Sequence, residues 1–181
     1  MEQGTGGFLH PEKVLSQMGI GQGMKVADFG CGHGYFTIPV AKMVGKDGKV
    51  FAVDVLNDAL DAVRSHVQIN GIMNVDIRRG DLEKICGSHL PEGEVDAVLL
   101  HNILFESQKK GEIIKEAKRV LKSGGFLYLV EWLPSVVLFS APQGWRISQE
   151  DAKKLAETEG LIFQKNFDAG EYHYGLAFVK P

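Results

Sequence analysis

Short strand-like runs separated by helical patterns constrain this chain more than any other feature. Lys25–Phe29, Lys49–Val53, Val75–Arg79, Val95–Leu100 and Phe126–Trp132 each read as a strand closed by a turn. The run VDAVLL at 95–100 is almost continuously apolar, as a strand covered on both faces requires. Between the strands lie helical patterns at Tyr35–Val44, at a segment capped by Asn57 or Asp58 with Leu60, Val63 and Val67 inward, and at Gly111–Leu121. Asn70-Gly71 and Ser123-Gly124-Gly125 end two of them. Alternation of this kind predicts a mostly parallel sheet with helices on both faces.

The two ends of the chain differ from this rhythm. Residues 1–7 read as a loose arm, followed by a short helix from His10-Pro11-Glu12 with Val14, Leu15 and Met18 inward. This segment, 1–23, is expected to cover the site in part. Residues 133–147 are the least regular, and Val136–Phe139 fits a lid, a homodimer contact or core. Ser148 reads as the cap of a helix Gln149–Glu159, with Asp151 three residues on. Leu161–Phe167 and His173–Val179 are strands joined by only DAGEY, too short for a helical crossover, so they are expected to pair antiparallel. The expected fold is a doubly wound, Rossmann-like α/β sheet in one domain, residues 1–181.

Bulk properties narrow the class. The chain is 44% hydrophobic and 24% charged, an ordinary globular composition. Its net charge of −3 gives no general pull toward nucleic acid. The two cysteines, Cys31 and Cys86, make neither a disulfide framework nor a zinc site, so no metal is expected and a reducing cytoplasm is the simplest setting. No apolar run approaches the roughly 20 residues that span a bilayer.

The loop Asp28-Phe29-Gly30-Cys31-Gly32-His33-Gly34 follows the first strand. In such sheets ligands bind beyond the carboxyl ends of the strands, beside the first one. Glycines there let the backbone approach a ligand and take positive φ, and the next helix offers free amides. A dinucleotide site wants G-x-G-x-x-G, and that register puts Tyr35 at the third position, where it would obstruct helix–strand packing around a pyrophosphate. A nicotinamide-dependent oxidoreductase is therefore disfavoured. Asp54, 20 residues after Gly34, ends the second strand, where an acid accepts from ribose hydroxyls or is simply a strand-end aspartate. Asp81 follows the third strand and fits an adenine amino group, the cap of a helix at Leu82–Cys86, or both.

With these residues in order, the chain resembles the class I S-adenosylmethionine-dependent methyltransferases. It is most similar to small bacterial or archaeal members of the ubiquinone/menaquinone-biosynthesis type. The resemblance is carried by VADFGCGHG (26–34), VFAVDV (50–55), RRGDLE (78–83), VDAVLLHNIL (95–104) and KRVLKSGGFLYLVEW (118–132). It implies a seven-stranded sheet with one antiparallel strand from the last hairpin. It also implies that Asp28, Gly30, Gly32 and Gly34 contact the methionine part of the cofactor, Asp54 the ribose and Asp81 the adenine, with the Leu82 amide nearby. Cys31, Val55 and His101 are also expected to contact the cofactor. Ser123 departs from the proline common before the two glycines.

Methyl transfer needs an aligned, dry nucleophile more than it needs catalytic side chains. The candidates are His101 as a base, or as a structural histidine, and Glu131, as a substrate-orienting acid or the partner of a cation. The sequence His101-Asn102-Ile103-Leu104 lacks the Asn/Asp-Pro-Pro-Tyr/Phe motif of adenine methylation. Phe8, His10, Phe105, Trp145 and Arg146 are expected around the acceptor, and Trp132 fits pocket or core. A small-molecule acceptor is favoured over protein or RNA, since no recognition domain or basic tract is present. Arsenite methylation is disfavoured, because that chemistry resembles a multi-cysteine enzyme. A module that binds the cofactor without catalysis is the second reading.

Overall fold

The computed structural model describes residues 9–135 and 145–181. Phe8, the arm 1–7 and Val136–Phe139 lie outside these residues. Seven strands form one sheet: β1 (Lys25–Phe29), β2 (Lys49–Asp54), β3 (Val75–Arg79), β4 (Val95–His101), β5 (Leu121–Trp132), β6 (Ile162–Phe167) and β7 (His173–Val179). Their order across the sheet is β3-β2-β1-β4-β5-β7-β6. β1 to β5 pair in parallel, and β7 inserts antiparallel between β5 and β6. The expected doubly wound sheet and its terminal hairpin are both present.

Among the described residues, five helices cover the sheet: α1 (Pro11–Leu15), α2 (Thr37–Val44), α3 (Asn57–Ile69), α4 (Lys110–Val120) and α5 (Gln149–Thr158). Strand alternation divides the core in two. Leu127, Leu129, Val98 and Leu100 pack with Ile113, Ala117 and Ala156 on the α4/α5 face. Tyr128, Val130, Ala97 and Leu99 pack with Val14, Leu15, Phe36 and Val40 on the α1/α2 face. Ser148 caps α5 as expected, its hydroxyl accepting from the Asp151 amide at 3.1 Å.

Several elements differ from the sequence-based expectation, and α3 is preceded by Leu56 with no side-chain cap from Asn57 or Asp58. α2 starts at Thr37 instead of Tyr35, because the glycine loop continues through a turn closed by the Gly34 amide on the Cys31 carbonyl at 2.9 Å. β5 starts at Leu121, which pairs with Val95 before a bulge lets the ladder resume at Ala97–Phe126. Leu82–Cys86 is a series of turns and not a helix. Its amides are claimed from outside: the buried Glu116 carboxylate on α4 accepts from the Cys86 amide at 2.9 Å and the Ser88 amide at 3.1 Å.

Candidate cofactor and acceptor site

The glycine loop joins the carboxyl end of β1 to α2. Gly30, Gly32 and Gly34 have φ of 71°, 50° and 86°. A β-carbon on Gly30 would lie 2.6 Å from Ile103 Cδ1, so this glycine lets the β4 exit pack against the loop. A β-carbon on Gly32 would meet nothing within 4 Å, so the middle of the loop faces open space. That opening is where a ligand can approach the backbone.

Asp54 ends β2 beside the opening. Its Oδ2 accepts from the Gly32 amide at 2.9 Å, and its Oδ1 accepts from the Leu56 amide at 2.9 Å. One carboxylate thus ties the loop to the strand end. Val55 and Leu56, next in sequence, are 50% and 64% exposed, an apolar shelf at the same edge. Asp28 is buried and accepts from Thr37 Oγ1 at 2.6 Å. Burial pushes its carboxyl up to about 6, against the lowering effect of the Thr37 bond. Cys31 is buried, and burial raises its thiol far above its ordinary value, so it is a packing residue here.

Asp81 follows β3 across a backbone that only glycines permit. A β-carbon on Gly80 would lie 2.5 Å from the Gly87 carbonyl oxygen, and one on Gly87 would lie 1.8 Å from that of Asp81. Asp81 Oδ1 accepts from the Glu83 amide at 3.1 Å, and Oδ2 meets Lys84 Nζ at 2.8 Å. The Lys84 bond holds the carboxyl below the usual range. Leu82 is buried beside it. The loop glycines, Asp54 and Asp81 therefore stand at the carboxyl ends of three neighbouring strands, β1, β2 and β3.

His101 ends β4 on the α1/α2 face. Phe36 lies against it at 4.4 Å between ring centres. Burial, and then His173, push its imidazole down to about 3, so the ring is uncharged near neutrality. Asn102 Nδ2 is 3.3 Å from His101 Nε2 and 3.0 Å from His173 Nε2. Trp132 lies against His173, with ring centres 3.9 Å apart and planes tilted by 35°. Sequence reasoning did not single out His173. Its signal lay in the hairpin, but only the observed insertion of β7 beside β5 sets it opposite Trp132.

Glu131 is not with His101. Strand alternation sends its side chain to the α4/α5 face. There Oε1 accepts from the Leu104 amide at 2.6 Å, at the start of the short 3-10 turn Leu104–Glu106. Burial raises this carboxyl to about 7, opposed by amides at 103–105 and by Lys110. Of the other expected acceptor residues, His10 is exposed ahead of α1 and Trp145 is 37% exposed. Arg146 donates to the Leu133 carbonyl. Tyr35 is 40% exposed and donates to the Leu9 carbonyl. A separate open groove of about 850 Å3, lined in part by Lys42, Lys46, Lys49 and Met73, lies at the other end of the sheet.

A seven-stranded sheet of this order, with a glycine loop after β1 and acids after β2 and β3, defines the methyltransferase class of Rossmann-like domains. A structure of a SAM-dependent methyltransferase from Aquifex aeolicus superposes with a TM-score of 0.86 at 28% identity, over 96% of this chain and 91% of that one. Residues 20–172 match the family described as a methyltransferase domain, and the chain belongs to that family. An arsenite methyltransferase from Aquipseudomonas alcaligenes is 30% identical over 131 residues, 66% of this chain and 38% of that protein. A demethylmenaquinone methyltransferase from Geobacillus stearothermophilus is 29% identical over 118 residues, 65% of this chain and 49% of the relative. The chain thus spans half or less of the length of these curated relatives. Among the described residues, no helix is long and apolar enough to cross a membrane.

Proposed function

We propose that this protein transfers a methyl group from S-adenosylmethionine to a small-molecule acceptor. The observation that carries the reading is the Gly32–Asp54 pair: a loop amide held by the β2 acid, next to backbone that faces open space. The residues fit the cofactor in kind. Glycines with positive φ would admit its close approach, Asp54 would offer acceptor oxygens to the ribose hydroxyls, and Asp81 would offer them to the adenine amino group beside Leu82. The bound cofactor supplies an electrophilic sulfonium methyl. The protein's residues then bind, orient and keep water out.

In this reading His101 is a neutral wall of the acceptor site and not a strong base, because an imidazole held near 3 takes up a proton poorly at neutral pH. Glu131 is a positioning residue that fixes the β4 exit through the Leu104 amide. The reading takes residues 1–181 as one domain in a reducing cytoplasm. The arsenite and demethylmenaquinone activities are those of the named relatives; only the small size of the acceptor is carried over.

Calorimetry with S-adenosylhomocysteine and with NADH tests the cofactor. Binding of the first and not the second is expected; the reverse would sink the proposal. A labelled-methyl screen against cell extract then tests transfer. Label in a small-molecule fraction is expected, whereas tight cofactor binding with no transfer to any fraction would leave a binding module as the answer.

A further inference from the structure

β3 is one edge of the sheet, and among the described residues it pairs only with β2. That pairing runs from Val50–Val75 to Asp54–Arg79 without a bulge. The other edge, β6, is different. Its register slips between Phe163 and Lys165, an interruption that blunts an edge against further pairing. The open groove at the start of β3, lined in part by Met73, Val75, Asp76 and Ile77, leaves that strand accessible.

The ladder fixes the direction of the free backbone groups. The Asn74 carbonyl accepts from the Val50 amide at 2.9 Å, and the Gly80 amide donates to the Asp54 carbonyl at 2.9 Å. Even-numbered positions therefore turn toward β2, and the amides and carbonyls of Val75, Ile77 and Arg79 turn outward. Such an outward row is a template for another strand.

The side chains of β3 complement themselves. Asp76 and Arg78 share one face, Arg78 donating to Asp76 through Nε at 3.0 Å and Nη2 at 2.9 Å. A second β3 laid antiparallel about Ile77 sets each Asp76 opposite an Arg78, which stabilises a strand pair. Centring the pair on Asp76 or on Arg78 would oppose like charges instead. With Ile77 at the centre, Val75 meets Arg79 and Ile77 meets Ile77 as hydrogen-bonded pairs. Asp76 and Arg78 then fall at the closer, non-hydrogen-bonded spacing.

Exposed apolar side chains flank the same strand. Ile69, Met73 and Ile85 are 80%, 94% and 70% exposed, the most exposed large apolar residues among those described. The first two precede β3 and the third follows it. Antiparallel pairing brings the Ile69–Met73 end of one copy to the Ile85 end of the other.

We infer that the β3 edge is a self-association surface, through which two copies pair antiparallel about Ile77 into one continuous sheet. The two-fold makes the contact isologous, so it closes at a dimer. The inference stands apart from the methyltransferase reading, because Asp76, Ile77 and Arg78 have no part in the cofactor site described above.

The test uses the full chain. Sedimentation equilibrium is expected to give twice the chain mass within a range of about 1 to 100 μM. Amide hydrogen exchange on the dimer then locates the contact. Val75, Ile77 and Arg79 are expected to exchange as slowly as the β2-bonded amides of Asp76 and Arg78, to within about tenfold. Asp76→Arg and Arg78→Asp each oppose like charges in the pair, and each is expected to be a monomer. Mixed in equal amounts, the two variants restore opposite charges and are expected to form a mixed dimer. An unmodified chain that stays monomeric overturns the inference, and so do outward amides that exchange freely in a dimer. A dimer that persists in either variant alone overturns it too, as does the absence of association when folded variants are mixed. The exchange measurement on the unmodified protein decides by itself if a variant fails to fold.

Discussion

Asp54 uses both oxygens on its own chain, one on Gly32 and one on Leu56, so it shapes the loop as well as facing the ligand. Asp54→Ala is expected to weaken S-adenosylhomocysteine binding by about 1.5–3 kcal/mol, the usual size for hydrogen bonds to a charged group. A calorimetric change below about 0.5 kcal/mol would remove Asp54 from the site, on the same scale. Gly32 is the complementary case. Its β-carbon direction is open, so Gly32→Val is expected to fold, with about 1–2 kcal/mol of backbone strain, and to lose cofactor binding. Unchanged affinity would show that the opening is not the binding surface. Both residues were legible in the sequence, because spacing after a strand fixes where they fall. The Gly32–Asp54 bond was not, since it depends on how far the loop folds back over β2.

The exit of β4 is an element built by a side chain from its neighbour strand. Glu131 serves the buried amides of the 3-10 turn from the face opposite His101. Glu131→Ala is expected to cost about 1–3 kcal/mol in chemical denaturation, the penalty for stranding a buried donor. S-adenosylhomocysteine affinity is expected to stay within threefold. A variant of normal stability whose transfer rate collapses would make Glu131 a reacting group and contradict this role. Glu116 does the same work for the turns after β3, and it also pairs with Arg119 at 2.7 Å. The sequence showed Glu131 as a polar residue at a strand end, a pattern shared by ligand-facing acids and by braces. Pattern alone does not separate them; the face does, and the face follows from where β5 begins. The extension of β5 to Leu121 was hidden by Ser123-Gly124-Gly125, which reads as a helix stop and serves here as a bulged strand start.

Across the whole molecule, three buried titratable groups set opposing responses to pH. Asp28 and Glu131 hold their protons more tightly when folded, at about 6 and about 7. Their contribution favours the native state below their ordinary values and is lost as pH rises through those figures. His101 acts in the other direction: its folded value near 3 lies below the ordinary 6.5, so stability falls as pH drops below 6.5. Asp28→Asn isolates one of these. Relative to the unmodified protein, its stability is expected to rise by about 2 kcal/mol between pH 4 and pH 8, read from urea midpoints. A parallel pH dependence in the two proteins would mean that Asp28 is not shifted. The parallel sheet and the terminal hairpin were readable from alternation and linker length, and the order of the strands across the sheet was not. Nor was it readable which hairpin strand joined β5, because alternation and linker length do not order two antiparallel neighbours.

His101 and Glu131 occupy the two sides of one sheet, separated by the thickness of a single strand layer. Substitutions on one side therefore meet different neighbours from those on the other. A lineage can change the residues that pack around His101 while the Glu131 brace on the other face goes on holding the backbone in place. Diversification of specificity and conservation of the scaffold are, in this architecture, carried by opposite faces of the same strands.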